Sequence, residues 1–387
     1  MTTTKTLRSF VLMVFFCTSC GPKSPESSKA VSLALEVTDS IQVDYLGEMR
    51  LQDYDPGSDQ YLLVSDLFQN YLEVGADGKV IQDKTLAEDG LDNISTAMGL
   101  SYLDGKVIVL TPDQGYVKFE DGNRMDNVKV PYPYSTFVFY PKLGFHEIDG
   151  KAIYPNLWPE SMQMGFDNPE FYLQLYRRPI MQIQDLTSKD TLGIMSLPPS
   201  SPLSDGRIHG IPIPIVTQRG KDWLLGMWLE PRFYVYREEA GKFEYLKTAE
   251  FDVPNWAGYS PVEPAQAGTF FDQMQTFTAA TVEDLLVMGD YVLAVYRKGV
   301  SPERYAAFDR KKEEDRIEIH KINPYYVAVF SKDYELIQAD LKLPAGVHGP
   351  TVVNNNGELM ASKNPSLSEL EDEGLILYKM KLVEKEE

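Results

Sequence analysis

Cysteine is nearly absent, with Cys17 and Cys20 the two in 387 residues. Both lie near the start, so no disulfide can staple the body of the chain, which must hold together on its buried core. Histidine is scarce as well, at four, and none stands in a His-Glu-x-x-His or comparable metal spacing. Positive charge is outnumbered: 37 Lys and Arg face 57 Asp and Glu, a net charge of −20. No basic stripe relieves that imbalance, which argues against nucleic acid and anionic membrane surfaces as partners of the folded body. No apolar run reaches the ~20 residues needed to span a bilayer as a helix. A Gly-x-Ser-x-Gly elbow, a P-loop and a dinucleotide fingerprint are all missing too.

What the chain has instead is one unit, repeated. Asp104-Gly105 followed by Lys106-Val-Ile-Val-Leu110 reads as a tight hairpin turn feeding a strand buried on both faces. Five further copies start at Gly57, Asp149, Gly220, Gly289 and Asn356. Each innermost run is followed by outer strands that alternate apolar and polar, as at Tyr71–Val74 and Lys79–Asp83 in the first repeat. Later repeats give Phe171–Tyr176, Phe233–Arg237, Phe243–Thr248, Tyr326–Phe330 and Leu336–Leu341 as outer strands. Arg316–Ile322 also alternates, and reads as a strand with His320 exposed at the rim. Ser301-Pro302-Glu303 has the cap, proline and acid of a short helix. The spacing of about 46 residues between the first inner strands, widening to about 70, fits four-stranded blades with insertions.

These signals predict an all-β fold, a six-bladed β-propeller of four-stranded antiparallel blades over residues 31–387. The last repeat is one strand short, and Val31–Val37 with Ile41–Leu46 supply spare strands. The N-terminal strand is therefore expected to close the ring and cover an exposed edge.

Residues 1–19 stand apart. Lys5 and Arg8 precede the short apolar stretch Phe10–Phe16, and Thr18-Ser19 lead into Cys20. This resembles a bacterial lipoprotein signal, with Cys17 where leucine is preferred; a plain secretory peptide is the alternative. The resemblance implies a lipid on Cys20, and residues 20–30 read as a flexible tether. Leader and repeats together resemble the six-bladed propeller lipoproteins of the Bacteroidota, and in particular one domain-of-unknown-function family of that phylum. That resemblance implies an outer-membrane address, facing the periplasm or the cell surface. It offers no catalytic residues.

Tight turns fall on one face of such a ring, and the long connections on the other, where binding residues concentrate. His209 and His348 both occupy His-Gly pairs at inner strands, so convergence on one funnel is the expectation. Arg232, Arg297 and Arg304 follow second strands and belong to the same face, and Trp228 lies beside them. His209, His348, Arg232, Arg297 and Trp228 are thus the ligand-binding candidates, suited to an anionic saccharide or peptide. Tyr132, Tyr134, Trp158 and Trp256 add aromatic surface; blade packing and surface ion pairs are the plainer roles for all of these. The expectation is a membrane-anchored binder of a ligand or envelope protein, with no cofactor. A hydrolase or lyase at the central channel is the alternative, with calcium on turns such as Asn354–Gly357. A structural subunit of an envelope complex is the third reading.

Overall fold

The computed structural model describes residues 32–86, 89–90, 93–131, 142–156, 163–364, 367 and 374–385. The leader, Cys20, the tether, Tyr132, Tyr134 and Trp158 lie outside them. Six separate four-stranded antiparallel sheets stand in a ring, a six-bladed β-propeller.

After β1 (Ser32–Val43), the first blade runs β2 (Arg50–Asp55), β3 (Gln60–Val64), β4 (Asn70–Gly75) and β5 (Val80–Thr85). The second is β6 (Gly99–Leu103), β7 (Lys106–Thr111), β8 (Gly115–Glu120) and β9 (Asn123–Val128). Blade three comprises β10 (His146–Ile148), β11 (Lys151–Pro155), β12 (Pro179–Asp185) and β13 (Thr191–Ser196). Blade four comprises β14 (Pro214–Arg219), β15 (Asp222–Met227), β16 (Arg232–Glu239) and β17 (Lys242–Glu250). In the fifth are β18 (Thr281–Met288), β19 (Tyr291–Arg297), β20 (Tyr325–Phe330) and β21 (Leu336–Lys342). The last has only β22 (Val347–Val353), β23 (Leu359–Lys363) and β24 (Leu375–Lys385) in sequence.

Its fourth strand is β1. Ser32 to Val43 pairs antiparallel with Lys385 to Leu375 along the whole length of β24, with one register shift between Val37 and Asp39. Two spare strands are thus one continuous strand. Ile41, Leu51, Leu63, Met360 and Leu377 then form a shared core across the joint. Each such side chain adds roughly 1.5–3 kcal/mol of hydrophobic burial.

The repeated turns have the expected geometry. Asp104 and Gly105 have φ of 49° and 76°, and Asp149 and Gly150 have 51° and 73°. Positive φ at both central residues matches the twist of the strands they join.

Two elements differ from their sequence reading. Phe171–Tyr176 belongs to a helix, α1 (Pro169–Arg177), and the third strand of that blade is β12. Asn168 caps α1 by accepting from the Glu170 N–H at 3.0 Å, with proline in the first turn. Phe171, Tyr172, Leu175 and Tyr176 are buried on its inner side, a helical spacing that an aromatic run disguises as a strand. After α2 (Ala267–Thr276) and the short α3 (Pro302–Tyr305), which matches its cap signal, comes α4 (Glu313–Ile322). Arg316–Ile322 lies within α4, so His320 is helical and not on a rim strand. Glu313, Glu314 and Asp315 fill its first turn, favoured by the positive end of the helix dipole. Ile319 and Ile322, three apart, pack on the cluster of Phe277, Val300 and Tyr305.

The helices interrupt connections on a single face. α1 and α4 lie between second and third strands, and α2 between a fourth strand and the next blade. The opposite face carries the short turns.

Candidate functional site

Arg50 opens β2 at the loop-face end of the ring. Its guanidinium carbon stands 5.1 Å above the Phe68 ring, and its Nε is buried without a hydrogen-bond partner. Among the described residues no carboxylate lies within ion-pair distance of it. Burial pulls its pKa below the ordinary arginine value, with Asp66, Tyr325 and Glu283 acting the other way. Buried charges are ordinarily paired, which makes Arg50 a candidate anion-binding group.

It lines a cavity of about 290 Å³ together with Arg316, His320, His348 and the carboxylates of Glu48, Asp66 and Glu313, among others. Three blades build it: β2 and the turn after β3, α4 of blade five, and β22 with β23 of the last blade. His348 sits at the start of β22, its backbone opposite Ser362. Burial, and then the charges of Arg50, Arg297 and His320, push its pKa down to about 4. His320 is exposed on α4, and its pKa is lowered by partial desolvation first and Arg297 second. A second cavity of about 220 Å³ adjoins, sharing His320, His348 and Asn364.

Arg297 ends β19 close by. Burial works against its charge, but Glu283, at 2.8 Å, and Tyr325, whose ring lies 5.2 Å away, hold its pKa above the usual value. It contributes field rather than a free binding group.

The remaining candidates gather elsewhere on the loop connections. A cavity of about 160 Å³ is lined by His209, Trp228, Glu230, Trp256 and Tyr259. His209 Nε2 meets Asp205 Oδ1 at 2.9 Å, and its backbone N–H donates to the Tyr176 hydroxyl at 3.0 Å. Arg232 adjoins through Glu230, at 3.7 Å, while its Nη1 holds Glu250 at 2.7 Å. The five sequence candidates thus divide in two. His348 and Arg297 lie at the mouth; His209, Trp228 and Arg232 lie at blade four. The two cavities share no lining residue. Arg304 is exposed on α3.

A fourth cavity, of about 320 Å³, runs along the axis with residues from all six blades. Lys142 Nζ stands 3.2 Å from Asp284 Oδ1 and donates to the Thr351 carbonyl at 2.9 Å. Asp284 Oδ2 accepts from the Thr351 N–H and hydroxyl at 2.8 and 2.9 Å. Asp53 accepts from the Tyr102 and Tyr54 N–H groups at 2.8 and 2.9 Å. Register shifts in β2 and β18 fall just before Asp53 and Asp284, and such bulges re-aim a side chain. Burial raises both carboxyls, with Lys142 opposing. His146, half-buried and edge-on to Trp223 at 4.8 Å, is pushed down to about 4 by desolvation. These groups answer one another across blades one, two, three, five and six, so they tie the ring together.

The Asn354–Gly357 turn uses its own polar groups: Asn354 Oδ1 accepts from the Asn356 and Glu358 N–H groups at 3.0 Å each. Among the described residues no group of three or more His, Cys, Asp or Glu is placed to hold a metal ion.

No protein-family model matches the chain, and no curated protein matches it in sequence. Its likeness is to solved structures. A member of the DUF4221 family from Bacteroides vulgatus superposes with a TM-score of 0.61 at 12% identity, covering 92% of this chain and 100% of that one. A Bacteroides fragilis protein named as exported gives 0.49 at 11% identity, over 91% and 95% of the two chains. The fold is shared. At such identities the likeness says nothing about chemistry. No helix among the described residues is long and apolar enough to cross a membrane.

Arg50, Lys142, Asp53 and Asp284 were not among the sequence candidates. Glu48-Met49-Arg50 reads as an ordinary strand entry. Only ring closure brings α4 and β22 around it.

Proposed function

We propose that this protein is an exported β-propeller, tethered to the outer membrane by a lipid on Cys20, that binds a small organic anion in the mouth cavity. A carboxylate or phosphate on a saccharide or peptide is the group it takes. The observation that carries this reading is Arg50, a guanidinium with a buried, unbonded Nε and, among the described residues, no carboxylate within ion-pair distance, in a protein of net charge −20. A planar anion accepting two parallel N–H bonds would complete it. His320 and His348, whose pKa values are lowered in part by Arg297, would gain protons more readily as the ligand's charge offsets that of Arg50 and Arg297. No cofactor enters this reading, and the partner is a ligand or envelope component rather than nucleic acid.

Calorimetric titration of the mature chain with acetate, glucuronate and inorganic phosphate tests it. At least one should bind, and Arg50→Met should weaken it by about tenfold or more, as loss of a charge-assisted pair does. Affinity should rise as pH falls from 7 to 5. Equal affinity in wild type and Arg50→Met, or no binding of any probe, contradicts the proposal.

A further inference from the structure

The cavity at blade four has a chemistry opposite to that of the mouth. We propose that it binds a small organic ammonium group, with Trp228, Trp256 and Tyr259 around the cation and Glu230 as its counter-ion.

The charge comes first. Glu230 and Glu250 flank one guanidinium, that of Arg232, so two carboxyls share one cation, and burial raises the Glu230 carboxyl above its ordinary range, with Tyr234 and Arg232 opposing. Arg232 is drawn to Glu250 at 2.7 Å and reaches Glu230 only at 3.7 Å. Glu230 is 6% exposed; its Oε2 accepts from the Tyr234 hydroxyl at 2.6 Å, and its Oε1 is buried with no partner. A carboxylate oxygen left over in a buried place calls for a cation or a donor.

The lining decides between them. Trp228 Nε1 already donates to the Ile211 carbonyl at 2.7 Å, and the His209 ring is held by Asp205. What those side chains still offer is mainly aromatic surface. Saccharides and anions need several free donors, whereas an alkylated ammonium is attracted by aromatic faces and a carboxylate alone. The volume, about 160 Å³, equals roughly five waters at liquid density, enough for a trimethylammonium head. Trp228 precedes β16, while Trp256 and Tyr259 lie in the connection before α2, so aromatics from two separate connections meet here.

Choline and its uncharged isostere, with carbon in place of the quaternary nitrogen, are the probes. Binding to the mature wild-type chain is followed by calorimetry and by the N-methyl proton shift. Choline should bind about tenfold tighter than the isostere or better, with its methyl resonance moved upfield by ring currents. Glu230→Gln, which keeps an acceptor for Tyr234, should remove that preference. Trp256→Leu, at a half-buried position, should remove both the preference and the upfield shift, and it carries the test should Glu230→Gln not fold. Arg50→Met should leave choline binding unchanged, which separates this site from the mouth. Equal binding of the two probes, no choline binding, or a preference surviving both variants overturns the proposal.

Discussion

A guanidinium desolvated on one side, with no ion pair among the described residues, costs folding free energy, so Arg50 sets binding against stability. Replacing it with methionine, of similar length, should raise unfolding free energy by about 1 kcal/mol while weakening anion binding about tenfold or more. Urea unfolding midpoints of the two chains measure this; a variant destabilised by as much as a core truncation would mean that Arg50 is tied into the fold. His146 makes a different prediction. Its folded pKa of about 4 lies below the unfolded value of about 6.5, so the unfolded chain takes up a proton first as pH falls. The stability it permits is whole above pH 6.5 and lost progressively down to pH 4, reaching about 3 kcal/mol at the end. His146→Phe, which preserves an aromatic edge against Trp223, should be less acid-sensitive over that window. Parallel pH profiles for variant and parent would refute the assignment.

Among the elements, β1 has the largest consequence. Removing residues 31–46 leaves β24 with an open hydrogen-bonding edge and uncovers Leu51 and Leu377, so the truncated chain should aggregate or lose a large part of its thermal midpoint. A monomer as stable as the parent would show that the ring does not need the strand. A milder probe is Gly78, in the turn after β4 with φ of 83°, where an added Cβ would stand 2.2 Å from the Gln42 carbonyl of β1. Gly78→Ala should cost at least about 1–2 kcal/mol, since both the backbone and the approach resist it. The same positions show why some elements were legible and others not. Asp-Gly pairs and β-branched runs carry turn and strand in adjacent residues. α1 and α4 depend on caps and on which face is buried, and a short run such as Arg316–Ile322 alternates in either reading. His348 was found because His-Gly stands at a repeat's inner strand; Arg50 was not, because its isolation follows from blades far apart in sequence.

For the whole molecule, the ring turns separate loops into a shared mouth. The β24–β1 joint sets blade one against blade six, and α4 reaches over from blade five. The acidic balance repels bulk anions, so an anionic ligand depends on the local donors that Arg50 and Arg316 supply at the mouth. The tether before β1 would hang this body from the membrane. Cys20→Ala should therefore end fatty-acid labelling and detergent partitioning without changing the fold; a labelled variant, or an unlabelled wild type, would remove the anchor from the account. The central claim, an anion site built at the mouth by ring closure, is tested most directly by crystals soaked in bromide. The strongest anomalous peak should lie at the Arg50 guanidinium, between His348 and α4, and should disappear in Arg50→Met. An empty mouth in the wild-type crystal, or a peak unchanged in the variant, would contradict it.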